Sequence, residues 1–120
     1  TRLMSSPTEQ AAEWKAKGNA ALSASNFDEA ITCYTKAIEL DGSNHVFFSN
    51  RSAAHLSKGD AAAALDDAES CIKVNPGWAK GYARKGAALH AMKNFAAAKD
   101  AYNAGLAIDG SNAALRAGLD

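Results

Sequence analysis

Asn75-Pro-Gly-Trp-Ala-Lys-Gly-Tyr-Ala-Arg-Lys-Gly86 reads as a turn that runs straight into a helix. Pro76 lacks an N–H and clashes with a preceding helical turn, so with Asn75 it stops the helix before it. Lys80 and Arg84 then stand four residues apart, which stacks two cations on one helix face. The same pattern recurs upstream at intervals of 34 residues: Tyr82 follows Phe48 and Trp14, and Gly86 follows Ser52 and Gly18. Ala30, Ala64 and Ala98 keep that spacing, as do the turns that begin at Asp41, Asn75 and Asp109. A fixed period of this length marks a stack of repeated helix pairs.

The repeat units are 11–44, 45–78 and 79–112, followed by a last element over 113–119. Each unit holds two helices: first helices over about 11–24, 45–58 and 79–92, and second helices over about 28–40, 61–74 and 95–108. Polar residues and glycine at Ser25-Asn26-Phe27, Gly59-Asp60 and Lys93-Asn94 end one helix and cap the next. Gly18, Ser52 and Gly86 are expected to cross Ala30, Ala64 and Ala98 at close range, with the first-helix aromatic packing into the pair. Segment 113–119 covers the open face of the third unit, as a solenoid end requires. Thr1 to about Thr8 reads as a frayed leader, with Met4 as the native start and Thr1-Arg2-Leu3 left over from cloning; the repeat domain is then 9–120.

Composition narrows the function. The chain has 120 residues, enough for one domain with a core. Its 13 basic and 13 acidic side chains cancel, a poor basis for non-specific nucleic-acid binding. Abundant alanine with few prolines and β-branched residues points to an all-α fold. No apolar run approaches the roughly 20 residues of a membrane span, and residues 1–10 lack the apolar centre of a signal peptide. Cys33 and Cys71 sit inside helical patterns with no metal-ligand spacing, so they read as buried reduced thiols of a cytoplasmic protein. No metal or cofactor is expected.

Charge is divided between the two helix classes. First helices carry Lys15, Lys17, Arg51, Lys58, Lys80, Arg84 and Lys85 against Glu13. Second helices carry Asp28, Glu29, Glu39, Asp66, Asp67, Glu69 and Asp100 against Lys36, Lys73 and Lys99. The face lined by first helices should therefore favour an anion. Lys15 and Asn19 lie one turn apart, Asn50 and Arg84 share a repeat position, and Lys80 lies one turn before Arg84. Cations together with amide side chains suit carboxylates, and the amides also serve a peptide backbone. Nucleic acid would call for more basic residues and for aromatics facing the groove, whereas the aromatics fall at core offsets.

These residues carry a resemblance. Trp14, Gly18, Ala30, Tyr34 and Ala37, with Tyr82, Gly86, Ala98 and Tyr102, are similar to the pattern of the tetratricopeptide repeat family. The second unit keeps Phe48, Ala64 and Pro76, but Ser52 replaces glycine and Ala68 replaces an aromatic; Gly42 and Gly110 stand where proline is usual. The resemblance implies a right-handed superhelix of three helix-turn-helix repeats plus a C-terminal capping helix, its first helices lining a concave groove. Lys15, Asn19, Asn50, Lys80 and Arg84 also resemble the dicarboxylate clamp of chaperone-binding members. The runs Lys15-Ala-Lys-Gly-Asn19, Asn44-His-Val-Phe-Phe-Ser-Asn-Arg-Ser-Ala-Ala54 and Trp78-Ala-Lys-Gly-Tyr-Ala-Arg-Lys-Gly-Ala-Ala-Leu89 look like the first repeat domain of Hsp-organising co-chaperones, the Hop-like, stress-inducible class. That resemblance implies a co-chaperone module that holds the C-terminal Glu-Glu-Val-Asp tail of a heat-shock chaperone, with the seventy-kilodalton class favoured over the ninety-kilodalton class. Selectivity between the tails rests on upstream residues, and Leu56, Ser57 and His90 receive no role.

Leu22 and Ala53 stand near the amides, either as an apolar wall for a ligand side chain or as inter-helix packing. His45, His55 and His90 read as packing or solvated groups, with no carboxylate placed to orient them. No catalytic arrangement such as a Ser/His/Asp order, HExxH or a P-loop is present. The rival readings are a self-associating scaffold and the regulatory domain of a larger enzyme.

Overall fold

The 34-residue period becomes helix pairs because each unit carries its own stop and start signals. The structure, a computed structural model, describes residues 5–119. These form seven helices: α1 (Pro7–Ser23), α2 (Phe27–Leu40), α3 (His45–Lys58), α4 (Ala61–Val74), α5 (Ala79–Ala91), α6 (Phe95–Ile108) and α7 (Ala113–Leu119), with no strand among the described residues. The expected boundaries hold to within a residue except at the start. There, α1 begins at Pro7, so Pro7 and Thr8 are helical rather than leader. The cause is local: Ser6 accepts from the Glu9 backbone at 3.1 Å, Glu9 accepts in return from the Ser6 backbone, and Pro7 occupies the first helical position. The remainder of the expected leader, Thr1 to Met4, lies outside the described residues.

Turn chemistry repeats with the helices. Ser25, Gly59 and Lys93, at equivalent positions of the three units, all have positive φ, at 63°, 99° and 64°. Only the second unit supplies the glycine that this geometry favours. After each second helix, Asp41, Asn75 or Asp109 accepts from the backbone N–H two residues on, which closes the turn. Asn44, Asp60 and Asn94 cap α3, α4 and α6 through their side chains.

Packing within each unit depends on one small residue. A Cβ at Gly18 would lie 2.6 Å from the Tyr34 ring, and one at Gly86 would overlap Tyr102 in the same way. The buried rings are those of Tyr34 and Tyr102 on second helices and of Phe47 on α3, while Trp14, Phe48 and Tyr82 of the first helices are half-buried. The first-helix aromatics do pack at their pairs, Trp14 against the Ala11, Ala37 and Phe47 cluster and Tyr82 beside Gly105, but only in part, and the glycine crossing itself is filled by the second-helix tyrosine. The second unit exchanges both partners: Ser52 stands at the glycine position and Ala68 at the tyrosine position, so bulk moves from one helix to the other. Ser52 also donates to the Ala64 carbonyl at 2.7 Å, which satisfies its buried hydroxyl. Ala30, Ala64 and Ala98 are buried, as the period predicts.

Each helix packs on the next along the chain, and α1 also meets α3, α3 meets α5, and α5 meets α7. No contact joins α2 to α4 or α4 to α6 among the described residues. First helices thus crowd together while second helices splay apart, which curves the stack with first helices on the concave side. The molecule is elongated, 50 × 27 × 21 Å.

Candidate functional site

The concave face brings α1, α3 and α5 side by side, and the five expected groove residues stand on these helices. Asn19 and Asn50 meet directly, the Asn50 amide nitrogen donating to Asn19 Oδ1 at 3.3 Å. The same oxygen accepts from the Tyr34 hydroxyl at 2.6 Å. Arg84 reaches back to α3, where its Nε donates to Ser49 Oγ at 3.1 Å. Ser49 is the residue before Asn50, so this bond ties α5 to α3 one position from the amide pair. Lys15 stands one turn before Asn19 and is half-buried, whereas Lys80 is exposed one turn before Arg84. Among the described residues no hydrogen bond joins Lys15 or Lys80 to the other three; their place rests on their positions along α1 and α5.

Cations outnumber acids locally, although Asp109 lines the same cleft as Lys80 and Arg84. Lys15, Lys80 and Arg84 have no carboxylate partner among the described residues. Burial pushes the Arg84 pKa down, and nearby Cys71 and Tyr34 oppose that. A guanidinium remains a cation at neutral pH all the same. What faces the groove is thus a set of N–H donors whose matching acceptor is an anion. Beside it, between α5 and the α6–α7 end, lies an open cleft of about 680 Å³ lined by Trp78, Lys80, Ala83, Arg84, Ala87 and Ile108, among others.

The other first-helix cations have different duties. Arg51 forms a bidentate pair with Asp67 of α4, at 2.8 and 2.7 Å, and donates to Thr35 of α2 at 3.1 Å. Lys58 pairs with Asp28 at 2.6 Å, and Lys85 stands 3.9 Å from Glu69. Lys17 lies 4.6 Å from the Trp14 ring centre. The sequence-level charge division therefore overstates the groove field, since much of it is consumed in ties between first and second helices. His55 also departs from expectation, because Asp67 stands 3.6 Å from its Nε2. His45 packs edge-on against Trp78 and meets Asn75 at 3.3 Å, a contact between the second and third units. Leu22 is half-buried against the Ala21, Ala30, Tyr34 and Ala54 cluster, and Ala53 is half-buried beside Ala54.

Ser49 and the Tyr34 hydroxyl are the supports that residue spacing did not single out. Both residues are fully buried. For Tyr34 the sequence marks the ring, which pairs with Gly18, but not the acceptor that its hydroxyl meets. Ser49 carries no such mark, because its partner comes from the next repeat. Cys33 and Cys71 are free and buried, and burial pushes the Cys71 thiol up to about 11. No cluster of His, Cys, Asp and Glu suited to a metal ion occurs among the described residues. Among the described residues no helix is long and apolar enough to cross a membrane.

A solenoid of helix pairs with first helices along its concave side defines a helical-repeat domain. Comparison with known proteins makes this specific. A family model described as Tetratricopeptide repeat matches residues 11–44, and a second of the same description matches 79–112. The first TPR of Spaghetti, solved bound to HSP90 peptide SRMEEVD, superposes with a TM-score of 0.89 at 32% identity, covering 93% of this chain and 91% of that one. The chain belongs to the tetratricopeptide repeat family. It is 51% identical over 109 residues to the heat shock protein sti1 homolog of Schizosaccharomyces pombe, covering 91% of this chain and 18% of the relative. It is also 51% identical over 107 residues to the Hsp70-Hsp90 organizing protein of Triticum aestivum, covering 89% and 18% respectively. The chain thus spans about a fifth of the length of these curated relatives.

Proposed function

We propose that this domain is a non-catalytic co-chaperone module of the cytoplasm that holds the C-terminal end of an acidic peptide. Lys15, Asn19, Asn50, Lys80 and Arg84 bind the terminal carboxylate and the side chain of a final aspartate. The ligand is the Glu-Glu-Val-Asp tail of a heat-shock chaperone, with the seventy-kilodalton class favoured and the ninety-kilodalton class the alternative. Leu22 and Ala53 form the apolar wall beside the penultimate valine. The single observation that carries this reading is that Lys15, Lys80 and Arg84, which have no carboxylate partner among the described residues, stand on the helices that also carry the linked amides of Asn19 and Asn50. Names of relatives agree with it, since one organizes Hsp70 and Hsp90 and another repeat domain was solved with SRMEEVD.

Calorimetric titration with a free-acid Glu-Glu-Val-Asp peptide and its C-terminal amide tests the proposal. Amidation removes one charge from a charge-assisted contact, a loss of about 1.5–3 kcal/mol, or roughly ten- to 150-fold. Equal binding of the two peptides would overturn it. Sedimentation of the unliganded domain separates the rival scaffold reading, which requires self-association.

A further inference from the structure

Asn19 is held from below by a hydroxyl that never reaches the groove. Tyr34 is fully buried, its ring lying where only a glycine at position 18 leaves room. Its hydroxyl donates to Asn19 Oδ1 at 2.6 Å, and the Asn50 amide donates to the same oxygen at 3.3 Å. A carboxamide oxygen has two lone pairs, so both are engaged. What Asn19 has left for a ligand is its NH₂ group, which can only donate. An unrestrained asparagine could rotate its amide by half a turn and offer the oxygen instead. The third repeat shows that the hydroxyl is a local device: Tyr102 lies over Gly86 in the same way, but the next residue is Ala87, which has no side-chain acceptor.

Resting on the peptide-binding reading, we propose that Tyr34 is a positioning residue that locks Asn19 as a donor. The groove thereby selects a terminal carboxylate over a terminal carboxamide. A carboxylate accepts from the fixed NH₂, whereas a carboxamide that turns its own NH₂ toward Asn19 meets a second donor. The preference for a free chain end is then set partly by charge and partly by a buried hydroxyl that touches no ligand.

The test is Tyr34→Phe, which keeps the ring over Gly18 and removes only the hydroxyl. Affinities for free-acid and amidated Glu-Glu-Val-Asp peptides are measured for wild type and variant. Beside them, the Asn19 side-chain amide signals are recorded by NMR without peptide. The acid-to-amide affinity ratio should fall about fivefold in the variant, the scale of one neutral hydrogen bond. The Asn19 signals should move, and in an Asn19→Ala background Tyr34→Phe should leave the ratio unchanged. A ratio unaltered by Tyr34→Phe, or an equal loss for both peptides, overturns the proposal, as do unmoved Asn19 signals. A wild type with no preference for the acid overturns the specificity claim together with the clamp reading. Because the Asn19 signals need no peptide, they show in that case whether the orienting bond itself exists.

Discussion

Lys80 and Arg84 share a helix face, yet truncating them should have unequal consequences for stability. Lys80 is exposed; its ammonium lies 5.9 Å from the Trp78 ring centre and has no carboxylate partner among the described residues. Lys80→Ala removes little packing and relieves an i, i+4 repulsion worth a few tenths of a kcal/mol. Its stability should stay within about 0.5 kcal/mol of wild type. Arg84 is half-buried and donates to the fully buried Ser49 hydroxyl. Arg84→Ala removes that bond and the stem packing over it, a cost of about 1 kcal/mol, or roughly 3–5 °C in melting temperature. Binding should suffer in both, because each loses a charged contact worth about 2 kcal/mol, close to thirtyfold. Thermal melting beside calorimetric titration of a free-acid Glu-Glu-Val-Asp peptide reads both quantities. Early melting of Lys80→Ala would refute the solvated reading of Lys80, and full stability of Arg84→Ala would refute Ser49 as the anchor of Arg84. Undiminished binding by either variant would move the ligand elsewhere.

Other outcomes follow from the packing. Lys93→Gly should stabilise the domain by about 0.5–1 kcal/mol in a denaturant titration, because φ at Lys93 is 64° and glycine adopts that conformation without a Cβ clash. Gly18→Ala should destabilise by about 1–3 kcal/mol, since the new methyl would lie 2.6 Å from the Tyr34 ring; a wild-type melting curve would contradict this. The Cys71 thiol is pushed up to about 11 from 9.0 by burial, so the folded state holds its proton more tightly than the unfolded chain does. That contribution, about 2–3 kcal/mol, is fully present below pH 9 and fades as pH rises through 11. Cys71→Ala should flatten the alkaline loss of stability, and a loss equally steep in the variant would assign it to other groups.

Much of the fold was legible because the crossing of two helices demands a small residue at one position, and that demand recurs every 34 residues at Gly18, Ser52 and Gly86. The turn residues repeat for the same reason. The earlier start of α1 was also written locally, in Ser6-Pro-Thr-Glu9, but the period points only to residue 11. Arg51 was not legible as an ion-pair partner of Asp67, because the two lie on different helices and pair through the direction of their side chains. Charge counts per helix gave both the same weight as the groove cations. The five proposed site residues were picked by their spacing, with Asn50 and Arg84 one repeat apart, and the structure places them on α1, α3 and α5. The hydroxyls beneath them were not, since Tyr34 and Ser49 are buried and their roles depend on which neighbour each hydroxyl meets.

The convergence of one peptide end on three helices is most directly read by NMR of isotopically labelled protein titrated with the free-acid Glu-Glu-Val-Asp peptide. The side-chain amide signals of Asn19 and Asn50 and the guanidinium signal of Arg84 should all shift along one binding curve, and the amidated peptide should need a roughly ten- to 150-fold higher concentration to produce the same shifts. Shifts confined to the outer helices α2, α4 and α6, with these three signals unmoved by a peptide that binds, would contradict it.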